Sequence, residues 1–268
     1  MTVTTDVVRF VRQIVAAWPP EPNQHVVYEL LRLLGRWRSH MLANTFVSLQ
    51  GGPRIWSGPF AGMDYVEKAT EGALIPRLLG TYESELHPHL AAFAAEGLEC
   101  VIDVGCAEGY YAVGLARLMP KVTVHAFDID PKARAACTDL AARNAVADRV
   151  IVGGEFAPDG FEAFAGRKTL VMVDTEGAEI DILRPDLSPA LAGMSLIVET
   201  HDGLRPGALA TMRARFEATH DIVQVDPAQK TLTGPPWLLD LPQLDQQLAV
   251  WEWRSQATPW LVMRPKAA

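Results

Sequence analysis

Basic charge is scarce in this sequence. Its 268 residues carry 24 Lys and Arg against 32 Asp and Glu, a net charge of −8, whereas nucleic-acid binders present a basic patch or stripe. Cysteine is scarcer still. Cys100, Cys106 and Cys137 are odd in number and lack metal-ligand spacing, which argues against a disulfide framework or a thiolate metal site and fits reduced thiols in the cytoplasm. No apolar run approaches the ~20 residues that a membrane helix needs. Arg9 and Arg12 interrupt what would be the apolar core of a signal peptide. Internal repeats, low-complexity tracts, a Walker pattern and the full Gly-x-Gly-x-x-Gly fingerprint are all missing. The expectation is a cytoplasmic protein with no nucleic-acid or membrane partner.

What is present is ordinary globular material, 49% hydrophobic and 21% charged. The length suits one large domain with an extension. The informative stretch is residues 100 to 130. Val101, Ile102 and Val104 form a β-branched run that suits a buried parallel strand. Gly105 and Gly109 bracket a tight turn where backbone can approach a ligand. Tyr110 to Met119 keeps helical spacing and stops at Pro120. Val122, Val124 and Ala126 then alternate as a second strand, with Asp128 at its C-terminal end. Ligands of open α/β sheets bind at that end of the strands, and a carboxylate there can accept both hydroxyls of a ribose.

Two nucleoside ligands compete for this pattern. A dinucleotide needs the second fingerprint glycine for close approach of its pyrophosphate, but that position is Ala107 and the third is Tyr110. Glu108 would also sit beside the diphosphate. S-adenosylmethionine has no phosphate and carries two cationic groups, so Asp103 and Glu108 are tolerable or useful to it. The turn followed by Asp128 therefore favours S-adenosylmethionine over a nicotinamide dinucleotide, with Asp103, Gly105, Cys106, Ala107, Gly109, Asp128 and Ile129 around it. Cys106 reads as a small residue that fits the turn.

Residues 1–52 read as a helical extension, with amphipathic helices over 6–18 and about 25–50. This pair serves as a lid or as a homodimerisation element; 53–268 form the main domain. A short strand pair is expected over 54–66 around Gly58-Pro59, then a helix ending near Gly97. Pro131 opens a helix, and a third strand covers 149–152. Glu155 follows it, either as an acid that meets the exocyclic amine of an adenine or as a plain loop carboxylate. The fourth strand, 169–173, ends at Asp174, and Glu176, Gly177 and Glu179 open a helix. The fifth, 196–198, is followed by Glu199, Thr200, His201 and Asp202. Strands at 222–225 and 260–263 complete an α/β, Rossmann-like, mainly parallel seven-stranded sheet with an antiparallel edge strand.

Asp174-Thr-Glu176-Gly177-Ala-Glu179 and the later Glu199-Thr-His201, with the glycine turn and its acid, resemble a class I S-adenosylmethionine-dependent methyltransferase. More narrowly, they resemble the FkbM methyltransferase family. Leu79-Gly80-Thr81-Tyr82-Glu83 is also similar to that group and adds Tyr82 to the cofactor-binding set, as Asp174 is added by its motif. The resemblance covers roughly residues 54 to 202. The turn departs from it in Cys106-Ala107-Glu108, and Asp128 stands where Glu is usual. It implies O-methylation of a hydroxyl on a small molecule such as a sugar, polyketide or other natural product.

A hydroxyl acceptor must lose its proton as attack develops. His201 is the natural base near neutral pH, with Asp174 and Glu199 orienting it or acting themselves. The same acids permit a metal-assisted route in which Asp174, Glu199 and Asp202 hold magnesium. Two other readings stay open: a nicotinamide-dependent oxidoreductase, and a domain that keeps the fold for binding alone.

Overall fold

A computed structural model describes residues 3–70 and 72–267. Its centre is a seven-stranded sheet in the order β3-β2-β1-β4-β5-β7-β6, with β1 Cys100–Val104, β2 Thr123–Phe127, β3 Val150–Gly153, β4 Thr169–Val173, β5 Ser195–Glu199, β6 His220–Val225 and β7 Trp260–Pro265. Every residue of β1, β4 and β5 is buried, as strands covered on both faces require. The first five strands pair in parallel. β7 runs antiparallel between β5 and β6. The antiparallel strand expected at the edge thus lies one strand in from it, because β6 continues beyond.

Ten α-helices lie among the described residues: α1 Val3–Ala16, α2 Gln24–Gln50, α3 Leu74–Leu79, α4 His87–Ala95, α5 Tyr110–Leu118, α6 Pro131–Arg143, α7 Glu179–Ile182, α8 Ala208–Phe216, α9 Pro236–Leu239 and α10 Gln243–Val250. Both ends of α2 are chemically marked. The Asn23 side chain accepts from Val26 N at 3.1 Å, and Gly51 closes the helix at φ 70°, donating to Val47 O. Its second half buries Leu42, Ala43 and Phe46 in the core shared with α3 and α5. The helix expected after Asp174 is a single turn, α7, and starts at Glu179.

The strand pair expected over 54–66 reduces to one bridge between Arg54 and Asp64. The backbone of Trp56 donates instead to Leu78 O at 2.7 Å. Gly58 packs so closely on the end of α3 that a Cβ there would lie 2.8 Å from Gly80 O. Docking on α3 displaces the ladder, and it brings Thr81, Tyr82 and Glu83 to the C-terminal ends of the strands. No helix among the described residues is long and apolar enough to cross a membrane.

Candidate active site

The glycine turn leaves β1 in a conformation few side chains tolerate. Gly105, Ala107 and Gly109 have φ of 88°, 45° and 97°, the left-handed region. A Cβ on Gly105 would fall 1.7 Å from the carbonyl oxygen of Asp174, so the β1 turn and the end of β4 touch through backbone. Ala107 N donates to one Asp128 oxygen at 2.9 Å and Asp130 N to the other at 2.8 Å. A carboxylate offers about four lone-pair sites, so Asp128 keeps capacity for two ribose hydroxyls. Ile129 beside it is 79% exposed. Asp103 is buried with one oxygen unpartnered, and burial followed by the Asp128 charge pushes it to about 7. These residues fit an adenosine-type ligand. Glu155 stands exposed just past β3 on the same sheet edge.

Cys106 is buried, with its thiol raised by hydrogen bonding to Cys137 and by burial, so it packs. Glu108 is also buried. It accepts from the Tyr65 hydroxyl and from Thr70 N, and lies 3.7 Å from Arg77. Burial opposes its charge, but Arg77 and these donors hold its pKa below the usual range. Its work is to tie the turn to the 54–82 segment. Tyr82 lies under the Arg77 guanidinium, 4.3 Å from ring centre to Arg77 Cζ.

At the ends of β4 and β5 the structure brings Asp174, Glu199 and His201 together. His201 Nε2 lies 3.7 Å from Asp174, 3.5 Å from Glu176 and 3.5 Å from Glu199, while Nδ1 is 3.6 Å from Glu179. Its backbone N–H donates to Glu179 at 2.8 Å. Burial alone would lower the imidazole pKa, but the carboxylates of Glu179 and Glu199 beside the ring raise it to about 10. The ring therefore carries its proton at neutral pH, which is at odds with the neutral imidazole base expected from the sequence. Burial and the neighbouring Glu199 push Asp174 well above the carboxylate range. Glu199 is pushed up by burial too, but His201 and then Arg254 outweigh this and hold it at about 2. One proton shared by two adjacent carboxylates is the expected result.

A pH dependence follows. Because the folded His201 pKa lies above the 6.5 of free imidazole, its stabilisation is complete below about 6.5 and is lost as pH rises through about 10. His201→Gln should thus lower Tm more at pH 6 than at pH 10.5 in thermal unfolding. An equal loss at both would show an uncharged ring.

The expected metal set changes. Asp202 is not part of the cluster, because its carboxylate accepts from Gly207 N and Leu209 N, both at 3.0 Å, capping α8. Asp174, Glu176 and His201 do bring ligand atoms within 4.8 Å of one another. Yet a metal would have to displace the imidazolium proton, and magnesium prefers an all-oxygen shell. The set does not suit magnesium.

Several site residues escaped the sequence reading. Glu83 is fully buried, and burial with the Glu199 charge raises it to about 8, against the pull of Arg254. Arg254 bridges Glu83 and Glu199, and Thr258 donates to Glu199 at 2.6 Å. Glu83 lies in the Leu79–Glu83 segment singled out above. Arg254 gave no local signal, since its partner Glu83 is 171 residues away in sequence. A cavity of about 470 Å³ joins Asp174, Glu199, His201 and Tyr82 to Arg32 and Trp253.

A parallel five-strand core, β7 inserted antiparallel before β6, and a glycine turn facing an acid at the end of β2 decide the fold class. The fold is that of a class I methyltransferase. No protein-family model matches the chain. It is 27% identical over 188 residues to the ribosomal protein L11 methyltransferase of Hamiltonella defensa subsp. Acyrthosiphon pisum (strain 5AT), covering 65% of this chain and 59% of that protein. It is 34% identical over 93 residues to the release factor glutamine methyltransferase of Synechocystis sp., covering 32% of this chain and 30% of that protein. The chain thus spans less than two thirds of the length of these curated relatives. An O-methyltransferase from Bacillus cereus, solved in complex with SAH, aligns with a TM-score of 0.45 at 13% identity, covering 66% of this chain and 79% of that one.

Proposed function

We propose that this chain is an S-adenosylmethionine-dependent methyltransferase that methylates a hydroxyl of a small molecule, Asp174 taking the acceptor's proton. The observation that carries it is the meeting, at one sheet edge, of the Gly105–Gly109 turn and Asp128 with the Asp174, Glu199 and His201 cluster. When bound, S-adenosylmethionine supplies a methyl group on a sulfonium. As the carbon–sulfur bond breaks and the carbon–oxygen bond forms, the hydroxyl proton needs an acceptor. A carboxylate with a raised pKa is a stronger base than an ordinary one. His201 positions it, holding Asp174 and Glu199 from between. Asp103, Gly105, Asp128 and Ile129 hold the adenosine side, and Tyr82 the inner wall. The similarity of the Asp174–Glu179 and Glu199–His201 motifs to the FkbM family supports a hydroxyl acceptor, and the cavity of about 470 Å³ supports a small one. In this reading the N-terminal extension contributes α2 as a roof.

The names of the two curated relatives favour a second reading, a protein acceptor. Labelled methyl donor offered to a panel of hydroxylated small molecules and to ribosomal protein or release factor, with products read by mass, separates the two.

The cofactor placement has its own test. Asp128→Ala should weaken S-adenosylmethionine binding in calorimetry by roughly 1.5–3 kcal/mol, the scale of a hydrogen bond to a charged group. Unchanged affinity would remove Asp128 from the cofactor site.

A further inference from the structure

The cavity is lined by both signs of charge. Asp174, Glu176 and Glu199 stand at the strand ends, and Arg77 and Arg254 there are held by carboxylates, Arg77 by Glu108 and Arg254 by Glu83, Glu199 and Glu252, whereas the wall supplied by α2 presents Arg32 and Arg36. An adjoining cavity of about 220 Å³ shares Gly72 and Trp253 with it and adds His40 and Lys68. Arg32, Arg36 and His40 are spaced four apart and so fall on one face of the helix. The two guanidinium charges at that spacing, Arg32 and Arg36, repel and destabilise a helix.

Little within the protein offsets this. Arg32 is mostly buried and gives Nη2 to the carbonyl of Trp253 at 3.1 Å, but its Nε is buried without a hydrogen-bond partner. Glu29, on the solvent side, reaches it only at 3.7 Å. Arg36 is exposed and lies over the Trp253 ring at 5.6 Å; among the described residues no carboxylate pairs with it. Trp253 is itself fixed at φ 66°, with Nε1 donating to Ser39 Oγ at 3.3 Å. A non-glycine residue kept in that region costs energy and clusters at ligand sites. The cationic face therefore sits at a braced indole on the rim of the pocket where the acceptor would enter.

We propose that the acceptor carries an oxyanion, a carboxylate or a phosphate, which Arg32 and Arg36 hold while its hydroxyl lies toward Asp174. This rests on the methyltransferase reading and names the class of its acceptor. Guanidinium groups bind both oxyanions through charge-assisted, fork-shaped hydrogen bonds. Anchoring the acidic end at the α2 wall leaves the neutral hydroxyl to lie against Asp174.

The test uses matched pairs: 4-hydroxybenzoate with 4-hydroxybenzamide, glucuronate with glucose, and glucose 6-phosphate with glucose. Binding to protein loaded with S-adenosylhomocysteine is measured by calorimetry, after S-adenosylmethionine binding has been measured in the same preparation. The acidic member of at least one pair should bind about tenfold or more tightly than its neutral twin, and the pair that responds separates carboxylate from phosphate. The preference should disappear in an Arg32→Gln, Arg36→Gln double variant and weaken in Arg36→Gln alone, whose exposed side chain the fold does not need. Affinity for S-adenosylmethionine should stay at the wild-type value in both. No acidic preference in any pair, or one that survives the double variant, overturns the proposal. So does a fall in cofactor affinity, which would assign the cations to the cofactor's own carboxylate. Wild-type protein that does not bind S-adenosylmethionine would instead overturn the methyltransferase reading itself.

Discussion

Gly105→Val is expected to abolish S-adenosylmethionine binding in calorimetry. The residue is left-handed at φ 88°, and a Cβ would fall 1.7 Å from the Asp174 carbonyl oxygen and 2.7 Å from its carbon. A flexible side chain could swing away, but these are backbone atoms at the end of a buried strand. Relief means moving either the turn that carries the cofactor or the strand end that carries the proposed base. Strain on the order of 4 kcal/mol belongs to the rare severe class. In a chain of this size it would lower Tm by roughly 8–16 °C. Gly193→Ala is the control, since nothing lies within 4 Å of its added Cβ. Near-normal cofactor affinity in Gly105→Val would mean that the ligand lies elsewhere.

Asp174→Asn is expected to cut kcat by about 10²–10⁴, the range for loss of general-base help, with cofactor affinity little changed. The substitution keeps the shape of the side chain and removes its capacity to take a proton. The pH profile adds a second readout. Burial and the Glu199 charge raise the Asp174 pKa well above the ordinary range, so wild-type kcat/KM should climb as pH rises and this group ionises, and the climb should vanish in the variant. Retained kcat would leave Asp174 an orienting group. A flat wild-type profile would remove it as the titrating base.

The parts of the site that were legible in the sequence are the local ones. The glycine turn, Asp128 and the acids ending β4 and β5 lie within a few residues of their strands, so periodicity and turn chemistry place them. His201 was legible as a position, but its protonation state was not. That state depends on Glu179, at the start of α7, and Glu199, at the end of β5, converging on the ring. Asp202 misled for the opposite reason: an acid after a strand suits a metal and a helix cap equally well, and only the N–H groups of Gly207 and Leu209 at the start of α8 decide between them. The strand pair at 54–66 failed because Trp56 found its backbone partner on α3. Arg254 and the α2 arginines were beyond reach, since nothing local indicates that residue 32 meets residue 253.

The antiparallel course of β7 has a consequence for how the molecule comes into being. Because Glu199 pairs with Trp260 at the start of that strand, Arg254 and Thr258 reach the site only after the five parallel strands and β6 have been synthesised. Until then Glu83 and Glu199, 0% and 4% exposed in the finished fold, have no shared cation, and burying them together is unfavourable. The hydrogen bond from Arg32 to Trp253 spans 221 residues, a closure of the kind that makes folding slow. A nascent chain can thus lay down its parallel strands well before it has a pocket, and α2 waits for Trp253.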